Sequence, residues 1–164
     1  MKKLAALFAM VLITGVAAAA IAACGGGVDS KANDANLKEY FRQVRLLVND
    51  LDSRTEDRTV QNAHDAFLAW SIVLSDTSSK LRDIVPPDDL ADTHRALYTA
   101  LDDGALAISK VAQDHPNVKE LTEVQTLVAG STAVTEANNH ARTACSEMEA
   151  YAKDHDATLD LELC

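Results

Sequence analysis

Between Leu37 and Met148 apolar residues return every three or four positions, and this spacing constrains the chain more than any other feature. An α-helix turns once in about 3.6 residues, so such spacing gathers apolar side chains on one stripe that must be buried against another element. Leu37, Phe41, Val44, Val48 and Leu51 form the first stripe, with Tyr40 and Leu47 beside it. A second runs through Val60, Ala63, Phe67, Trp70, Leu74, Leu81 and Ile84. The third is Leu90, His94, Leu97, Leu101, Ile108 and Val111. The fourth is Val118, Leu121, Val124, Leu127, Val134, Ala141, Cys145 and Met148. Alternation at strand spacing occurs only in Leu159-Asp160-Leu161-Glu162-Leu163. Aromatics at 4% and three prolines agree with a helical chain.

Punctuation sets the expected helix ends. The first two stripes do not share a phase, which places a break between Asp52 and Thr59. Ser53 with Glu56 can form a capping box there, although nothing in the segment forbids one long bent helix. Pro86-Pro87 ends the second helix, because proline lacks a backbone donor and drives the residue before it out of helical geometry. Pro87 suits the first turn of a third helix, with Asp88 and Asp89 near its positive end. That helix stops at Asp114-His115-Pro116-Asn117. Asn117 with Glu120 then opens a fourth that runs to about Lys153, with a weak point at Gly130-Ser131. Short connections make successive helices antiparallel, so the expected fold is an all-α, up-and-down four-helix bundle over residues 34–153. A short C-terminal tail, residues 154–164, follows it.

The N-terminus reads differently. Lys2 and Lys3 precede 20 uncharged residues, Leu4 to Ala23, which end in small residues before Cys24. That order is the pattern of a secretory signal peptide, here residues 1–23. The alternative is an uncleaved span, since 20 apolar residues can cross a bilayer of about 30 Å. Ile21-Ala22-Ala23-Cys24 resembles the lipobox of bacterial lipoproteins. The resemblance implies a diacylglyceryl group on the Cys24 sulfur, cleavage after Ala23 and acylation of the new amino terminus, typically with a palmitate-like chain. Several buried acyl chains, at about 0.8 kcal/mol per CH₂, hold a protein on a membrane where one does not. Residues 24–33, with Gly25-Gly26-Gly27, then form a flexible tether. Gly25 rather than Asp after the cysteine favours the outer membrane where there are two.

Without Lys2 and Lys3 the chain has 13 basic and 25 acidic residues, a net charge of −12. Such a surface repels phosphates and carries no basic stripe, which argues against nucleic acid as a partner. With Cys24 taken by lipid, Cys145 and Cys164 remain as an even pair in an oxidising compartment, so a disulfide between them is expected. The tail can fold back along two turns of the last helix, with Leu159, Leu161 and Leu163 against the bundle. A redox pair would call for C-x-x-C, which is absent.

Motifs for chemistry are sparse. There is no Gly-x-Ser-x-Gly, no phosphate-cradling glycine loop, no H-E-x-x-H, no C-x-x-C-H and no paired Glu-x-x-His, so no catalytic residue is assigned and no cofactor is expected. Glu136 and His140 share a helix face and, with His94, are the candidate metal ligands, for an alternative reading as a metal- or haem-handling bundle. The plainer reading of His94 is a core histidine with one ring nitrogen bonded. Pro86-Pro87-Asp88-Asp89-Leu90 with His94 and Leu97, and Ala144-Cys145 with Leu161-Glu162-Leu163-Cys164, resemble a loose group of small helical bacterial lipoproteins. That resemblance implies export, anchoring, a helical fold and the disulfide, and no activity. The chain is therefore expected to be a non-enzymatic protein, lipid-anchored on the extracytoplasmic side of a membrane, that binds an envelope protein or small ligand.

Overall fold

A computed structural model of the chain describes residues 30–56 and 62–161. The expected signal peptide, residues 1–23, Cys24, the glycine run and Cys164 lie outside the described residues. Six α-helices follow one another: α1 Ser30–Asn49, α2 Leu51–Glu56, α3 Ala63–Arg82, α4 Ala91–Asp114, α5 Leu121–Gly130 and α6 Thr132–Asp154. A 3₁₀ turn, Asp88–Leu90, leads into α4. No strand occurs among the described residues, so the chain is all-α and its long helices form a bundle.

The four apolar stripes line one core, except that Leu121 is exposed and Val60 lies outside the described residues. Leu37, Tyr40, Phe41, Val44 and Val48 of α1 are buried, as are Phe67, Leu74 and Leu81 of α3. Leu97, Leu101 and Ile108 of α4 meet Ala141, Cys145 and Met148 of α6 in the same cluster. α4 is the central helix, packed along α3 on one side and α6 on the other. The short 83–87 connection makes α3 and α4 antiparallel. Their register is held by Ser71 Oγ to Ser109 Oγ at 2.6 Å and by Ser78 Oγ donating to the Tyr98 carbonyl at 2.8 Å. An Arg82–Asp102 ion pair lies near the same end.

Six described helices replace the four expected, for local reasons. Ser53 does not cap α3: it sits inside α2, where its hydroxyl bonds back to Asp50. The working cap is Asn62, whose Oδ1 accepts the Asp65 N–H at 3.0 Å while its amide donates to the Asp65 carboxylate at 3.1 Å. α2 is tied to α3 separately, through Arg54 donating to Thr77 Oγ1 at 2.6 Å. The fourth stripe is carried by two helices. Ser131 takes extended backbone, ψ 115°, and caps α6 through the Val134 N–H, so the weak point at Gly130-Ser131 is a full break. Asn117 does not cap α5, which starts four residues later behind an extended Glu120. Pro86-Pro87 does lie in the gap after α3, although α4 proper begins only at Ala91.

Gly104 lies where α3, α4 and α6 converge. A methyl there would meet Leu74 Cδ1 at 3.6 Å and Ala137 Cβ at 3.8 Å, both ordinary contacts. Glycine in a helix interior costs about 0.5–1 kcal/mol relative to alanine. Gly104→Ala is therefore expected to raise stability by about that amount, read as a higher urea midpoint. A lower midpoint would mean that the three helices cannot admit a methyl group.

The tail folds back as the leucine alternation implies. α6 closes in a Schellman motif: Ala157 N–H reaches the Ala152 carbonyl at 2.8 Å, Asp156 N–H the Lys153 carbonyl at 3.3 Å, and Asp156 is left-handed, φ 52°. Beyond it Leu159 and Leu161 are buried and Asp160 is exposed. The Leu161 N–H donates to Glu149 Oε1 at 2.8 Å, and the Asp160 carbonyl accepts from Asn49 Nδ2 at 2.9 Å. The tail is thus pinned to both α6 and α1 and takes part in no sheet. No helix among the described residues is long and apolar enough to cross a membrane.

Candidate functional site

The one buried, ring-titratable polar cluster in the described core centres on His94, which is 3% exposed. Four helices build it. α4 supplies His94, α1 supplies Tyr40, the end of α3 supplies the Leu81 carbonyl and α6 supplies Met148. His94 Nδ1 lies 2.9 Å from the Tyr40 hydroxyl and Nε2 lies 2.8 Å from the Leu81 oxygen. A carbonyl only accepts, so Nε2 must carry the proton and donate to Leu81. In the neutral ring Nδ1 is then the acceptor, and the Tyr40 O–H donates to it. Met148 Sδ, at 3.9 Å from the same hydroxyl, touches it as a weak alternative acceptor.

Aromatic rings enclose the imidazole. Tyr40 lies tilted at 5.6 Å between centroids, and Tyr98 meets it edge-on at 5.8 Å. The Arg82 guanidinium stands 5.0 Å from the centre of the Tyr98 ring. Burial pushes the Tyr40 phenol well above its ordinary range, which keeps it a donor. Burial also pulls His94 below its ordinary 6.5, against a smaller opposing effect of the Leu81 bond. The ring is therefore held neutral at pH 7.

This arrangement is built for specificity of packing. Both ring nitrogens are engaged, one more than the sequence suggested, so His94 offers no lone pair to a metal or substrate until the Tyr40 bond breaks. Glu136 and His140 lie on the exposed side of α6. The three candidate ligands are not gathered: among the described residues no group of three or more His, Cys, Asp or Glu could hold a metal ion. Cys145 is fully buried in α6; its expected partner is outside the described residues. His115 and His155 close α4 and α6 as turn residues. Sequence spacing pointed to His94 and Tyr40 as stripe residues and missed their bond, because it spans 54 positions.

The surface adds a second feature. Leu68 and Ile72 of α3 are 42% and 44% exposed, and Leu106 of α4 is 70% exposed. Leu68 and Ile72 flank Ser71, and Leu106 is one turn from Ser109, so the Ser71–Ser109 bond puts all three on the outer face of the α3–α4 hairpin. Asp65, Asp76 and Asp103 belong to the same two helices. A shallow, open hollow between the end of α6 and the tail is lined by Glu149, Lys153, Asp156, Ala157, Thr158 and Leu159. A comparison with protein-family models, with curated proteins and with solved structures finds no match to the chain.

Proposed function

We propose that the chain is a lipoprotein precursor, cut before Cys24 and lipidated on it, whose helical domain binds a protein partner on the extracytoplasmic side of a membrane. The observation that carries the anchoring is the order Lys2-Lys3, 20 uncharged residues, then Ile21-Ala22-Ala23-Cys24. The exposed Leu68, Ile72 and Leu106 support a protein partner, since a contiguous apolar face marks a contact surface more often than scattered leucines do. The aspartates beside that face suit a neutral or basic partner. The Cys145–Cys164 disulfide belongs to the same reading. Its support is the direction of the tail: Leu161 sits beside Glu149, one turn of α6 from Cys145, with three residues of chain still to run. A bridge closing that loop would add roughly 3 kcal/mol.

Cys24→Ala tests the anchor. The wild-type chain, expressed in a bacterium, is expected to partition with detergent and to carry the mass of acyl chains after loss of residues 1–23. The variant is expected to stay uncleaved and free of acyl mass. Equal processing of both would overturn the anchoring. Intact mass without reduction should show Cys145 and Cys164 short of one hydrogen each; two free thiols would remove the bridge. For the partner, Leu106→Lys should leave stability within about 0.5 kcal/mol and abolish crosslinks that the wild type forms on its membrane. Unchanged crosslinks would remove this face from the proposal.

A further inference from the structure

We infer that His94 is an acid-sensitive latch between α1 and the rest of the bundle: protonation at Nδ1 takes away the acceptor of the Tyr40 hydroxyl and raises the frequency with which α1 lifts from the core, while the α3–α4 side stays joined. The inference rests on geometry inside the described domain and stands whether or not the chain is exported.

The asymmetry comes from the tautomer. Nε2–H already donates to Leu81, and it goes on doing so when the ring is charged. The added proton goes to Nδ1, the nitrogen that accepts from Tyr40. The Tyr40 hydroxyl must then turn: its oxygen accepts from Nδ1–H across 2.9 Å, and its own proton is left to Met148 Sδ at 3.9 Å, a weak acceptor, beside a buried positive charge. The cost therefore falls on the α1 contact.

The other joints do not involve this ring. α3 and α4 are held by Ser71–Ser109, Ser78 to Tyr98 and Arg82–Asp102, and α4 to α6 by Thr93 donating to Glu147 at 3.1 Å. α1 is held by the burial of Leu37, Phe41, Val44 and Val48 and, through hydrogen bonds, by Tyr40 at the ring and Asn49 on the tail. Among the described residues no carboxylate bonds the ring to stabilise the imidazolium. The titratable groups facing the ring are the phenols of Tyr40 from α1 and Tyr98 from α4. α3 brings Arg82, a like charge, over Tyr98. α6 brings Met148 and, one turn earlier, the buried Cys145. The neighbouring carboxylates work at the surface: Asp92 on Arg95, Glu147 on Thr93, and Asp89 beside Tyr151.

The sign follows from linkage. The folded ring binds its proton less readily than the free side chain at 6.5, so the closed state is favoured above that pH and loses ground as pH falls below it. One proton taken up on opening multiplies the opening equilibrium by at most about tenfold per pH unit. Hydrogen exchange of the full-length chain, corrected for intrinsic rates, should therefore show α1 amides opening up to about 15-fold more at about pH 5 than at about pH 6.5, where the free side chain is already half protonated. Amides of α3 and α4 should change less. His94→Gln, which keeps an N–H donor and an acceptor without titrating in this range, should flatten the α1 response, and Tyr40→Phe should raise α1 opening at neutral pH. Nitrogen chemical shifts of the His94 ring should show the Nε2–H tautomer at neutral pH. An α1 response that is flat in the wild type, is shared equally by α3 and α4, or persists in His94→Gln would overturn the latch, as would an Nδ1–H tautomer.

Discussion

Replacing Phe67 with alanine is expected to cost the domain about 3–5 kcal/mol, the range for deleting a fully buried aromatic ring. Phe67 has no exposed surface and sits in the core cluster on the inner face of α3. α3 packs along α4, and long helices in register cannot close over the vacated space without shifting against each other. Leu68, one position on, is the internal control. It turns 100° away, is 42% exposed, and its alanine variant should stay within about 0.5 kcal/mol of the wild type. Urea unfolding of the three proteins with a common slope checks both claims. Similar losses at 67 and 68 would mean that the inner and outer faces of α3 are wrongly assigned.

The next largest effect is expected at His94. His94→Leu fills much of the same space, so its cost of about 2–3 kcal/mol comes chiefly from lost hydrogen bonds and from a Tyr40 hydroxyl left buried without a good acceptor. The Leu81 carbonyl suffers less, because the Ile84 N–H reaches it at 3.0 Å whether or not the histidine is there. Tyr40→Phe strands the Nδ1 acceptor and should cost about 1–2 kcal/mol. The double variant removes both ends of the bond together. It should be more stable than His94→Leu alone, because a deleted pair leaves no orphaned group. A double variant whose loss equals the sum of the single losses would show that Tyr40 and His94 are not coupled in the folded protein.

How much of this was legible beforehand depends on the range of the interaction. Helix faces are local: residues 37, 41, 44 and 48 share a side of a helix through backbone geometry alone, and with Tyr40 beside them they are the described side chains of α1 that are buried. The gap at Pro86-Pro87 is local too, since it follows from a missing donor and a steric clash. Caps are also local but compete with one another. Ser53-Glu56 and Asn62-Asp65 are both plausible starts, and only Asn62 takes the extended backbone a cap requires. Ser131 won over helix continuity because its hydroxyl and an extended ψ let α6 start afresh, and an apolar stripe can pass through such a break without losing its spacing. His94 looked like an ordinary core position with one nitrogen satisfied. Its neighbour Tyr98 carried no signal, as a half-buried tyrosine at a helix seam has no distinctive spacing.

From its residues alone, the chain's helical class and the inward face of most helix positions could be read, and the proposed export and lipidation rest on residues 1–24 alone. These depend on short segments whose chemistry acts within a turn or two of backbone. The tertiary structure decided which stripe meets which, that the tail lies across both α6 and α1, and that Tyr40, Leu81, His94 and Met148 form one buried cluster. Those contacts join residues 12 to 111 positions apart. They exist only because helix packing brings distant faces within hydrogen-bond distance, and no local spacing encodes that.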